Sequence, residues 1–123
     1  MKFQLDEPEG VNAITRVGPG RVWVQDQLYE HSVLVPWQGA VLPWLPQRFE
    51  DLQPEHFQAI LALQPELVIV SSGARLRFVH PSLHRCLMEA RIGLESMDLH
   101  AASRTYSVLA GEGRKVVAAL ILA

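Results

Sequence analysis

The stretch ELVIVSSG, Glu66 to Gly73, decides the architecture. Its run Leu67-Val68-Ile69-Val70 has no polar alternation that would leave one face in water. Such a run reads as a strand buried on both faces, as strands of parallel sheets are. The small-residue turn Ser71-Ser72-Gly73 then stands at the carboxyl end of a buried strand, where ligands bind in open α/β sheets.

Upstream of this strand the period is helical. Phe57, Ile60, Leu61 and Gln64 fall at i, i+3, i+4 and i+7, so the three apolar members share one face. Asp51 is the expected N-terminal cap, and Pro65 ends the helix. Downstream, Pro81 fits the first turn of a second helix with Leu83, Cys86, Leu87 and Ala90 as its apolar stripe and Gly93 as its stop. Leu94–Met97 reads as a short strand. A third helix is expected from Leu99 to Ala110, with Asp98 as cap and Gly111-Glu112-Gly113 as breaker. Val116–Leu122 is again apolar throughout and reads as a second doubly buried strand. Alternating helices and strands imply a largely parallel or mixed sheet with covering helices.

The first third differs. Ala13–Val17 and Arg21–Gln25 flank the forced turn Gly18-Pro19-Gly20, Asp26-Gln27 offers a second turn, and Leu28–Val35 is a further extended run. This predicts an N-terminal β-hairpin region. Pro36–Pro46, PWQGAVLPWLP, holds three prolines, two tryptophans and a glycine, and reads as a loop or irregular edge.

The 123 residues suit a single domain over 1–123, and 49% hydrophobic with 20% charged residues is a globular composition. A net charge of −2 and an isoelectric point near 6.2 argue against nucleic acid as a partner. One cysteine, Cys86, allows no internal disulfide and points to a reducing compartment. MKFQLDEPEG lacks the apolar core of a signal peptide. The longest apolar run, Val116–Ala123, is far short of the roughly 20 residues that span a bilayer. A cytoplasmic protein with no membrane insertion is expected.

The segment MDLHAASRTYSVLAGEGRKVVAAL, Met97 to Leu120, resembles the C-terminal signature of a family of small uncharacterised α/β domains with an archaeal, Mth-type prototype. The family includes a mitochondrial complex I assembly factor. The likeness extends over the early hairpin, the tryptophan-bearing loop and the helix before LVIV. Where the family has Gly-Thr-Gly this chain has Ser71-Ser72-Gly73, where it has Asp-Thr this chain has Asp98-Leu99, and Ser107 stands where it often has Asn. The resemblance implies an α/β, three-layer fold around a central mixed sheet. It implies no established enzymatic activity and suggests a role in assembling or inserting membrane or respiratory complexes; no cofactor is expected.

Two regions are candidates for function. Ser71, Ser72, Gly73 and Asp98 stand at strand ends, and Arg104, Tyr106 and Ser107 follow on the third helix. Together they form a polar rim for a small anion, because Arg104 and the amides of a small-residue turn both donate. A Ser–His–Asp hydrolase would need Ser71 or Ser72 with His80, His84 or His100 and Asp98, but no G-x-S-x-G elbow is present. His80, His84, Cys86 and Glu89 lack any metal-binding spacing. Arg75, Arg77, Arg85 and Arg91 make a basic stretch that reads as a solvated face. The second region is the proline-rich loop. If Trp37, Val41, Leu42, Trp44 and Leu45 face outward, they form an apolar patch for a protein partner or a second copy of the chain. A non-enzymatic interaction or assembly protein is the leading expectation, and a binder or enzyme acting at the polar rim is the alternative.

Overall fold

The computed structural model describes residues 10–123. The acidic stretch Met1–Glu9, read above as no signal peptide, lies outside them. The described chain runs β1 (Ile14–Gly18), β2 (Arg21–Val24), β3 (Gln27–Tyr29), β4 (Val33–Pro36), β5 (Leu42–Pro43), α1 (Pro54–Leu61), β6 (Leu67–Ser72), α2 (Arg85–Glu89), β7 (Gly93–Met97), α3 (Leu99–Gly111) and β8 (Val116–Ile121). The first three strands form a small antiparallel sheet. The other five form a mixed sheet in the order β5-β4-β8-β6-β7. β8 runs parallel to β6, with Ser71 opposite Leu120, and antiparallel to β4, with Val33 opposite the same Leu120.

The apolar runs explain the centre. Every residue of β8 is buried. Val116, Ala118 and Leu120 point to one side, where they meet Ile69, Val22 and Val24 of the small sheet, and Leu99, Ala102 and Tyr106 of α3. Val117, Ala119 and Ile121 point to the other, where they meet Val68, Val70, Phe57 and Ile60 of α1, and Leu87 of α2. The period of two thus serves two cores at once. The result is three layers: α1 and α2, the mixed sheet, then α3 with the hairpin sheet.

Several local expectations shift. Leu28–Val35 is two strands in two sheets, broken at Glu30-His31-Ser32. The hairpin turn is Gln25-Asp26, both at positive φ of 48° and 69°, one residue earlier than expected. This is the backbone that a two-residue connection needs to match strand twist. Asp51 does not cap α1. It sits in a single 3-10 turn, Phe49–Asp51, paired with Arg48 at 3.1 Å. α1 begins at Pro54 after Gln53, whose amide donates to Nδ1 of His56 at 2.9 Å. Pro81 opens a 3-10 turn, and α2 is only five residues long. Arg91 at φ 60° ends it, and Gly93 belongs to β7. α3 follows its expected course, with Oδ1 of Asp98 accepting from the amide of Ala101 at 2.9 Å. The proline-rich loop carries the two-residue strand β5, paired to Val33 and Leu34.

Candidate functional site

The end of β6 is built from inward hydrogen bonds. Ser71 donates to the carbonyl of Ile121 at 2.8 Å and accepts from the amide of Gly73 at 3.2 Å. Ser72 donates to the carbonyl of Arg75 at 2.7 Å and accepts from the amide of Arg77 at 2.9 Å. Both serines are buried. Gly73 is required by geometry. Its φ is +96°, and a Cβ there would lie 2.1 Å from the carbonyl oxygen of Ala123. The carbonyl of Gly73 takes the amide of Leu99 at 2.8 Å, which fastens this turn to the start of α3.

The expected rim is therefore divided. Ser72 lines a cavity of about 280 Å³ with Arg48, Phe49, Glu50, Arg75 and Arg77. Arg104 and Ser107 line a separate groove, between α3 and β1. Asp98 turns its carboxylate onto its own helix. The shared concavity expected for Ser72, Asp98 and Arg104 does not form, because Arg104 lies nearly two helical turns beyond the cap.

Tyr106, expected on the rim, is a core residue with no exposed surface. Its hydroxyl lies 3.0 Å from the carbonyl of Asn12 and 2.9 Å from that of Pro36, so one proton is shared between two acceptors. Burial pushes its pKa up, which keeps it a donor. Pro36 also receives Nδ2 of Asn12 at 2.9 Å, whereas among the described residues the carbonyl of Asn12 has the phenol as its side-chain donor. Tyr106→Phe should cost about 1–2 kcal/mol in chemical denaturation, the cost of orphaning a buried acceptor. A change below about 0.5 kcal/mol would mean that water replaces the hydroxyl.

The histidines do not meet the serines. Nδ1 of His80 bonds Ser82, and His100 lines the α3–β1 groove. His84 keeps a buried Nδ1 with no hydrogen-bond partner among the described residues, and burial lowers its pKa. Among the described residues no group of three or more His, Cys, Asp or Glu gathers in metal-binding geometry.

The proline-rich loop also turns out differently. Trp44 is 2% exposed and belongs to the α1 side of the core. Trp37 is half-buried against both cores. An outward face is left to Leu42 and to Leu45, which is 81% exposed. Sequence reasoning missed the next apolar surface, Leu76 and Phe78, which follows the Ser71-Ser72-Gly73 turn. Phe78 is 76% exposed. The signal was there in LRF, apolar residues alternating with an arginine, but it was absorbed into the basic stretch. Arg77 turns inward, pairing with Glu50 and lying 4.4 Å above the ring of Phe49. This contact joins the loop of Phe78 to the 3-10 turn that follows Leu45.

Comparison with known proteins gives this fold a family. The group described as protein of unknown function (DUF498/DUF598) matches residues 14–121. The chain is 28% identical over 121 residues to NADH dehydrogenase (ubiquinone) 1 alpha subcomplex assembly factor 3 of Mus musculus, covering 97% of this chain and 64% of that protein. It thus spans less than two thirds of that relative. Among solved structures, a Bordetella parapertussis protein superposes with a TM-score of 0.89 at 34% identity, over 94% of this chain and all of the other. A Bordetella pertussis protein described as a Mth938-like domain does so with 0.83 at 29% identity, over 98% and 91% of the two chains. The family signature read in Met97–Leu120 and the match over the described strands and helices agree, and the chain belongs to the DUF498/DUF598 family of proteins of unknown function.

Proposed function

We propose that this chain is a non-enzymatic interaction protein of the cytoplasm that assists assembly of a membrane-associated or respiratory complex. The observation that carries the reading is the assembly-factor name of the mammalian relatives. The site chemistry supports it. The serines that could have served as nucleophiles are engaged with backbone groups. No helix among the described residues is long and apolar enough to cross a membrane, so contact with such a complex would be through a surface.

The exposed apolar side chains on offer are Leu76 and Phe78, with Leu45 exposed shortly before the 3-10 turn that Arg77 ties to their loop. Arg48 and Arg77 are paired with Asp51 and Glu50, so the charge around these side chains is mixed, and large exposed apolar side chains there suit a partner segment led by apolar residues. Phe78→Asp should weaken that association by about 2 kcal/mol or more, as loss of a central aromatic anchor does. Stability should stay within about 0.5 kcal/mol, because the side chain is in water. The test is assembled complex I on native gels from a host lacking the gene. The deletion should lower it, the chain should restore it, and Phe78→Asp should not. Normal complex I in the deletion host would refute the reading.

A further inference from the structure

One flank of α3 borders β1, where the Oγ of Ser107 lies 3.4 Å from the carbonyl of Ile14. Leu99, Ala102, Tyr106 and Ala110 face the core. His100, Ser103, Arg104, Ser107 and Val108 fall at i, i+3, i+4, i+7 and i+8 and form a stripe flanking that core face, with Ser103 buried at its inner edge. That stripe faces β1 across a groove of about 440 Å³ whose far wall carries Ile14, Thr15, Arg16 and Val17. A second hollow of about 270 Å³ continues it past Val11, Ala13 and Gly111, sharing Ile14, Thr15 and Ser107 with the first. Hollows of this size take small organic ligands.

The chemistry changes along the groove. One end carries Arg16, Arg104 and His100, and the other is lined mainly by Val11, Ala13 and Ile14. No carboxylate lines either part among the described residues. Arg104 has no ion pair among them, and Arg16 rests 4.6 Å above the ring of Trp23 instead of beside an acid. A third, independent observation concerns Ser103. It is 2% exposed, lines the groove, and its Oγ has no hydrogen-bond partner among the described residues. A buried hydroxyl left alone costs desolvation with no return unless something else completes it.

The geometry points to a binding site for an organic anion with a short apolar tail. Its carboxylate or phosphate sits between Arg16 and Arg104, and its tail lies over Ile14 toward Val11. The Ser103 hydroxyl, buried at the wall of the groove, is the group such a ligand would complete. Arginine holds either head group by paired N–H donors, and an uncompensated pair of arginines favours an anion over a neutral molecule. This site is independent of the Phe78 surface, and neither proposal needs the other.

Titration of the full chain with octanoate, octyl phosphate, octylamine and inorganic phosphate tests it, read by calorimetry and by amide ¹H–¹⁵N shifts. One or both octyl anions should bind saturably, and which one does so identifies the head group. Shifts should be confined to Val11–Val17 and His100–Gly111. Arg104→Gln, a change at an exposed position, should weaken binding at least about tenfold. Ser107→Leu, which fills the middle of the groove, should abolish it. Equal binding of octylamine, scattered shifts, or indifference to Arg104→Gln would overturn the proposal. So would binding that appears only after Asp6→Asn, Glu7→Gln and Glu9→Gln are made together, since the groove would then belong to the chain's own acidic stretch.

Discussion

Trp44→Ala is expected to lower the unfolding free energy by about 3–5 kcal/mol, the range for truncating a large buried aromatic. The indole lies among Leu34, Leu52, Phe57 and Ile60. It meets the Phe57 ring edge-on at 6.0 Å between centroids, and Nε1 donates to the carbonyl of His56 at 3.1 Å. The backbone amide of Trp44 donates to Ser32 at 2.9 Å, so both ends of the residue are tied. Truncation would lose apolar contact and leave a cavity under the proline-rich loop. The melting temperature should fall on the order of 10–20 °C for a chain of this size. The contrast with Phe78→Asp is the useful measurement. One change should remove stability, and the other should remove association alone. A Trp44→Ala protein as stable as the parent would mean that the loop does not pack as described.

Ile69→Ala should be nearly as damaging, at about 2–5 kcal/mol. Ile69 is fully buried at the middle of β6, between β7 and β8 in the sheet and under α3. Leu120→Ala, on the same face of the neighbouring strand, should cost a similar amount. The two losses should not simply add, because both residues border one core. Amide exchange gives a second view. Val68–Val70 and Val117–Leu120 lie in strands paired on both sides and should exchange only on global unfolding. Exchange as fast as in the β1–β3 hairpin sheet would refute the central placement of these strands.

What was legible in the sequence is what depends on near neighbours. Unbroken apolar runs marked β6 and β8, Gly18-Pro19-Gly20 marked a hairpin, and Asp98 marked the start of α3. What failed depends on partners far along the chain or on backbone that side chains do not announce. Nothing in Leu28–Val35 says that its second half leaves the small sheet, because the cause is pairing with β8, where Val33 meets Leu120. Gly93 looked like the stop of α2, but Arg91 adopts the left-handed turn, and a non-glycine at φ 60° has no compositional mark. Pro54 did mark α1, at the position where proline favours a helix start, yet the more familiar cap at Asp51 drew the boundary upstream.

The candidate site divides in the same way. Ser71 was placed correctly at the end of a buried strand, but its acceptor is the carbonyl of Ile121, fifty residues on. Local sequence cannot tell an engaged hydroxyl from a free one. The direction of Trp44 was equally hidden, since a proline-rich loop fixes stiffness and says nothing of which way its rings turn. Arg104 and Ser107 were read with Tyr106 as part of a rim with Ser72 and Asp98, and they line a groove against β1 instead. Their wall, β1, comes from the other end of the chain and could be seen only once folded.

The position of β8 between β4 and β6 has a further consequence for how the protein is made. A ribosome delivers β4 and β6 well before β8, and these two strands touch each other nowhere in the sheet. Until Val116–Ile121 emerges, β4 has only the two-residue β5 beside it and β6 only β7. The edges of β6 and β4 that β8 will pair then stand open, with no strand between them to join the two halves. Pairings such as Val33 with Leu120 close a very long loop, which slows folding and prolongs exposure of unpaired strands. During synthesis the nascent chain thus presents the kind of surface that holding chaperones grip, and a protein proposed to escort others passes through that state itself.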